Sequence, residues 1–230
     1  MKKKSTYTVY FAGEMFNAKH LVGNAYLTEA IYEKSHGRFQ CIMPQNLDTT
    51  GMPARTIRDQ NIKTLLDADL AIFNYDGTEL DSGTVIEFLF AKFADIPAVL
   101  LRTDVRGGGG EHRTQPWNLM SNFYPRTATV VTPAFPNYRV ANLKHRRLPG
   151  ATRLAGQYST AAAQVVCDRT ASLVVNALER LLRTEPVMPK HLRVEVYNWL
   201  AIMPSMRGRP KELRKTLEKM LERKVRKDLL

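Results

Sequence analysis

Cysteine is almost missing from this 230-residue chain: there are two, Cys41 and Cys167. Two isolated thiols make neither a disulfide framework nor a metal-ligand spacing, so no metal is expected and a reducing, cytoplasmic setting is. Long hydrophobic runs are missing as well. No apolar stretch reaches the roughly 20 residues a membrane span needs, so no membrane partner is expected. Residues 1–11 are basic and then apolar, but the apolar part is short and broken by polar residues; it reads as a first strand rather than a leader. The run Gly107–Gly110 lacks the Lys-Ser/Thr of a phosphate-binding loop and leads into no obvious helix, so it reads as a flexible loop or lid. Internal repeats and low-complexity tracts are absent.

An acidic balance is also lacking. The formal net charge is +12, which invites a nucleic-acid partner. The excess is unevenly placed: Lys2, Lys3 and Lys4 open the chain, Lys144, Arg146 and Arg147 cluster in the middle, and residues 207–227 hold ten basic side chains. The first hundred residues are nearly balanced. Basicity therefore belongs to additions around a near-neutral core, and a nucleic-acid partner is not favoured.

Hydrophobic patterning gives the fold class. Residues 6–12 alternate as a strand, 20–34 have helical spacing, and 39–43 form a short strand. Residues 55–66 read as a helix, 68–73 as a strand covered on both faces, 82–93 as a helix, and 96–101 and 127–132 as strands. Strands alternating with helices predict an α/β fold with a doubly wound, mostly parallel five-stranded sheet, flavodoxin-like or Rossmann-like. Ligands of such sheets sit at the carboxyl ends of the strands. After residue 133 the pattern changes. Residues 133–156 read as a basic loop, 160–182 as a long helix, and 191–203 and 210–229 as two more. The expected division is a catalytic core over 1–133 and a basic, mainly helical extension over 134–230, packed on the core or on a neighbouring subunit.

The most informative residue is Glu87, set among Val85, Ile86, Phe88, Leu89 and Phe90. A carboxylate in apolar surroundings is costly without a partner or a task. Asp81 or Ser82 can cap the helix that carries it. Gly83, Thr84 and Ala91 share the face of Glu87 and are small, leaving room for a ligand. The nearby helix N-terminus favours an ionised carboxylate. Such a group suits glycosyl transfer, where it attacks an anomeric carbon and holds a covalent intermediate. Spacing alone leaves open whether Glu87 instead pairs with a lysine or arginine. A second acid would serve the leaving group. Asp81 can be that acid as well as a cap; Asp76, in Asn74-Tyr75-Asp76-Gly77, can be that acid or a turn residue. In the first strand and its turn, Gly13 permits close backbone approach, and the aromatic rings of Phe11 and Phe16 can stack on a base or sugar, or simply fill the core. The loop Trp117-Asn118-Leu119-Met120 is a further binding candidate.

In combination these segments resemble the nucleoside 2-deoxyribosyltransferase family over about residues 8–131. The resemblance is carried by Tyr10-Phe11-Ala12-Gly13 with Phe16, by Ile57-Arg58-Asp59-Gln60-Asn61-Ile62 followed by Asp67-Ala68-Asp69-Leu70-Ala71-Ile72, by Asp81-Ser82-Gly83-Thr84 with Glu87, and by Trp117-Asn118-Leu119-Met120. It implies a pentosyl transferase of nucleotide metabolism and purine salvage, acting on deoxynucleosides and free nucleobases. Glu87 would be the nucleophile, with retention of configuration through a glycosyl-enzyme. Asp81 would bind substrate and handle the base proton, and Tyr10 would position Glu87. Asn61 stands where some members carry an aspartate that contacts the base. Asn118 and Met120 would reach a neighbouring subunit's site, so a homo-oligomer is implied; no cofactor is. A related branch hydrolyses nucleoside 5′-monophosphates and carries serine where this chain has Asp81. A carboxylate there repels a phosphate, which favours a nucleoside. The alternatives are a nucleoside or nucleotide N-glycosidase, and a nucleotide- or nucleic-acid-binding protein without turnover.

Overall fold

The structure, a computed structural model, describes residues 5–77, 79–104, 118–144, 159–206 and 210–230. The run Gly107–Gly110, Trp117 and the basic residues 2–4, 146, 147 and 207 lie outside the described residues.

Five strands form one parallel sheet in the order β2-β1-β3-β4-β5: β1 (Tyr7–Ala12), β2 (Phe39–Ile42), β3 (Leu70–Asn74), β4 (Ala98–Arg102) and β5 (Thr127–Val131). The order reverses between β1 and β3, which opens a crevice at their carboxyl ends. Side chains alternate across the sheet. Val9 and Phe11 point to one face, with α1 (Ala18–Lys34) and α5 (Ser159–Leu181). Tyr10 and Ala12 point to the other, with α2 (Ala54–Asp67), α3 (Ser82–Phe93), α6 (Arg193–Ile202) and α7 (Pro210–Arg226). The expected α/β sheet and its helical C-terminal region are both present.

The residues after 133 are built into both faces. Ala171, Val174, Ala177 and Leu178 of α5 share one apolar cluster with residues of β1, β3, β4 and β5, all with essentially no exposure. Tyr197, Leu200 and Leu217 of α6 and α7 lie with Leu65, Phe88 and Ala91 on the other face. Between β4 and β5 the described residues hold no α-helix, only the short 3-10 turn Leu119–Ser121. One expectation is corrected: α4 (Ala134–Lys144) occupies the start of the segment read as a loop. Pro133, Pro136 and Asn137 look like breakers, but Pro136 falls in the first turn, where no intrahelical N–H is required. Asn137 Nδ2 also donates back to Thr132 Oγ1 at 2.9 Å.

Several basic residues of the C-terminal stretch are already engaged at the amino ends of the strands. Lys227 Nζ donates to Asp69 Oδ2 at 2.6 Å and Arg223 to Asp67 Oδ1 at 2.8 Å, while Lys224 is buried against the Ala68 carbonyl. Burial pushes the Lys224 ammonium down to about 7. These charges hold the tail to the fold rather than facing a polyanion. A second staple joins β5 to the tail. Arg126 donates to the Asp95 carbonyl at 2.7 Å and the Leu229 carbonyl at 3.0 Å. The Asp95 carboxylate is ion-paired with Arg126 at 3.1 Å and accepts from the Val187 and Met188 N–H groups at 2.7 and 2.8 Å. Asp95→Asn tolerates the positive φ of 55° at this position but leaves a buried guanidinium without a counter-charge. We expect a loss of about 3–5 kcal/mol in urea unfolding; an unchanged midpoint would remove the staple from the account of stability.

Candidate active site

Tyr10 and Glu87 meet on the α2/α3 face of the sheet. Alternation along β1 aims Tyr10 at α3, and its hydroxyl donates to Glu87 Oε1 at 2.7 Å. Tyr10 has no exposure, so the bond is fixed from the sheet side. Oε2 has no hydrogen bond among the described residues. Asp81 caps α3: its Oδ2 accepts from the Thr84 N–H and the Thr84 hydroxyl, both at 2.7 Å. Thr84 is 2% exposed. One residue thus holds one oxygen of Asp81 with two bonds, and Oδ1 has no hydrogen bond among the described residues. A Cβ on Gly83 would stand 3.2 Å from Asp81 Oδ2; any side chain there would press on the cap.

Burial dominates the electrostatics. It pushes the Glu87 carboxyl up to about 7; the Tyr10 hydrogen bond pulls it down and the Asp81 charge pushes it further up. The expectation that the helix N-terminus keeps this acid ionised is corrected. Glu87 lies in the second turn of α3, where the N–H groups are already bonded within the helix and desolvation outweighs the dipole. The Tyr10 hydroxyl is pushed strongly up, first by burial and then by the Glu87 charge. It therefore stays protonated and remains a donor.

The other sequence candidates fall in different places. Phe11 is corrected from a binding residue to a core residue: it is 1% exposed and points to the α1/α5 face, away from Glu87. Asp76 makes no hydrogen bond to Glu87 among the described residues. Its carboxylate accepts the Thr103 N–H at 2.5 Å, the Thr103 hydroxyl at 2.6 Å and the Asp104 N–H at 3.2 Å, bracing the exit of β4. Asx geometry fixes this turn, since the Asp76 N–H donates to Asn74 Oδ1 at 3.2 Å. Gly13 lies where the exits of β1 and β3 converge: a Cβ there would meet Asn74 Cβ at 3.0 Å. Phe16 projects from the β1 exit, 78% exposed. Asn61 lies on α2, next to α3; its Oδ1 is buried and unpaired among the described residues, an acceptor still lacking a donor. Asn118 caps the 3-10 turn by accepting the Met120 N–H at 2.9 Å and the Ser121 N–H at 3.3 Å. Leu119 and Met120 stand out, each more than 70% exposed.

Sequence reasoning missed two supports. Spacing marks Thr84 only as a small residue; the sign available was a hydroxyl three positions after an Asp cap. The second is the aromatic group behind α3. Phe88 meets Phe73, Tyr75 and Tyr124 edge-on at 5.4, 6.2 and 5.5 Å, and the Tyr75 hydroxyl meets the Ser121 side chain. These contacts hold the Asn118 turn beside α3. Among the described residues no cluster of His, Cys, Asp and Glu is arranged to hold a metal ion, and no helix is long and apolar enough to cross a membrane.

Residues 9–120 match a family model described as nucleoside 2-deoxyribosyltransferase. Solved structures similar to the chain include the crystal structure of a conserved protein from Enterococcus faecalis V583. It shares 30% identity over 46% of this chain and 69% of its own, with a TM-score of 0.42. No curated protein sequence is significantly similar to the chain.

Proposed function

Given that residues 9–120 match a model of the nucleoside 2-deoxyribosyltransferase family, we propose that the chain moves a 2-deoxyribosyl group between nucleobases through a covalent ester on Glu87. The observation that carries this reading is the bond from Tyr10 to Glu87 Oε1 at 2.7 Å. It turns one carboxylate oxygen toward the sheet and frees Oε2 for attack. In the first half-reaction Oε2 bonds to C1′ as the C1′–N bond breaks, and Asp81 relays a proton taken from solvent to the departing base. In the second, an incoming base loses a proton to Asp81 and attacks C1′, releasing the Glu87 carboxylate. Two inversions give retention. The half-buried setting favours this chemistry, because a poorly solvated carboxylate is a better nucleophile than a hydrated one. Asn61 would accept a base N–H, a role supported by its unpaired Oδ1. An unphosphorylated nucleoside is the substrate, since Asp81 would repel a 5′-phosphate beside the reacting sugar.

The test is base exchange. Deoxyinosine incubated with adenine should yield deoxyadenosine and hypoxanthine. Release of free deoxyribose at the same rate with or without adenine, and no deoxyadenosine, would make the chain an N-glycosidase instead.

The reaction needs ionised Glu87, so kcat/KM should fall as pH drops below about 7. Tyr10→Phe removes the one contact that lowers this carboxyl. The acid limb should then move to higher pH, with a loss of about 10–100-fold at pH 6 from the shifted titration and the lost orientation. A profile displaced to lower pH would contradict the role given to Tyr10.

A further inference from the structure

Asp81 is held by more than a helix cap requires. A capping carboxylate ordinarily takes a backbone N–H of the first turn, and Asp81 does so from Thr84 at 2.7 Å. The same oxygen, Oδ2, also accepts the Thr84 hydroxyl at 2.7 Å. A threonine inside a helix usually returns its hydroxyl to a carbonyl three or four residues back. Here the residue three back is Asp81, and its side chain takes the bond. The Asp81 carbonyl is bonded to the Val85 N–H at 3.1 Å. Thr84 is 2% exposed, so water competes little for the hydroxyl. A bond to a charged acceptor in such surroundings is strong.

Two bonds occupy one oxygen. A carboxylate oxygen has two in-plane lone pairs, and Oδ2 spends both on Thr84. A proton on Oδ2 would have to displace one of these bonds. A proton on Oδ1, which has no hydrogen bond among the described residues, displaces neither. We propose that Thr84 is a positioning residue: its hydroxyl reserves Oδ2 as an acceptor and makes Oδ1 the oxygen through which Asp81 passes a proton to the departing base. This role rests on the reading of Glu87 and Asp81 as the reacting pair. In the step itself, Glu87 Oε2 bonds to C1′, and the C1′–N bond breaks with its electron pair going to the base. The proton on Oδ1 moves to the base and leaves Asp81 ionised. Oδ2 accepts from Thr84 in both protonation states, so no dipole has to turn during the transfer.

Release of hypoxanthine from deoxyinosine by the full chain reads the step that exchange and hydrolysis share. Thr84→Val keeps the shape and the capping N–H but removes the hydroxyl. It should lower kcat about 10–100-fold and leave KM within about twofold. Thr84→Ala, a better helix former that also lacks the hydroxyl, should lose as much. Thr84→Ser keeps the hydroxyl and should hold kcat within about threefold of wild type. A double-mutant cycle identifies the route: added to Asp81→Asn, Thr84→Val should cost less than about twofold more in kcat, because no proton passes through the amide. The role is overturned if Thr84→Val and Thr84→Ala keep wild-type kcat, if their loss adds in full to that of Asp81→Asn, or if Thr84→Ser is as slow as they are. In each of these cases an impaired Asp81→Asn enzyme leaves the reading of the reacting pair standing. Wild-type kcat in Asp81→Asn overturns that reading and the role of Thr84 with it.

Discussion

Glu87→Gln is expected to reduce base exchange by at least about 10³-fold in kcat, because an amide oxygen cannot form the glycosyl ester. The fold should survive, since glutamine still offers an oxygen to the Tyr10 hydroxyl. A second measurement separates this from general damage. The folded-state carboxyl of Glu87 is raised from 4.5 to about 7. A raised carboxyl contributes stability that is complete below the unfolded value and lost as pH rises through the folded one. Wild-type protein should therefore lose this contribution between pH 4.5 and about 7, whereas the amide of the Glu87→Gln variant does not titrate. Melting temperatures measured at pH 5 and pH 8 should show the variant gaining on the wild type as pH rises. Full base exchange in the variant would end the assignment of the nucleophile. A variant that loses ground to the wild type toward pH 8 would end the account of its environment.

Asp81→Asn is the second large effect. Asparagine is as good an N-cap as aspartate, so the two bonds from Thr84 remain and stability should stay within about 0.5 kcal/mol. What is lost is the acid that protonates the departing base, worth about 10²–10⁴ in kcat. The loss should be smallest for substrates whose base leaves readily without a proton. Removing the Asp81 charge also relieves one of the causes that raise Glu87, so the acid limb of kcat/KM should move to lower pH, opposite to Tyr10→Phe. An Asp81→Asn enzyme with wild-type kcat would reduce Asp81 to a cap. One that also melts far lower would show that the cap geometry had not been preserved.

Much of the fold was legible because its signals are local. Compact apolar runs such as those in β3 and β4 leave little choice but strands covered on both faces. A change of period between them leaves little choice but crossover helices. The cap at Asp81 and the polar position at Glu87 were equally readable, since both depend on residues within one helical turn. Other features were not local. Phe11 and Tyr10 are adjacent aromatic residues of similar size; only the sheet, by sending alternate side chains to opposite faces, separates the core residue from the one that holds Glu87. Asp76 looks like a spare acid in the sequence, but Thr103, 27 residues away, is bonded to it. The basic tail suggests a polyanion partner because sequence gives net charge but not pairing; Arg223 and Lys227 meet Asp67 and Asp69 across 156 and 158 residues.

The sequence by itself determined the parallel α/β sheet, the helix that presents Glu87, and the match of residues 9–120 to the family model. Periodicity, capping and short motifs all act over a few residues and survive without knowledge of distant contacts. The tertiary structure alone decided that Phe11 lies on the face away from Glu87, that burial raises the Glu87 carboxyl to about 7, and that α5, α6 and α7 close both faces of the sheet. Each depends on which residues from remote parts of the chain share a face, and desolvation and pairing are properties of that assembled neighbourhood.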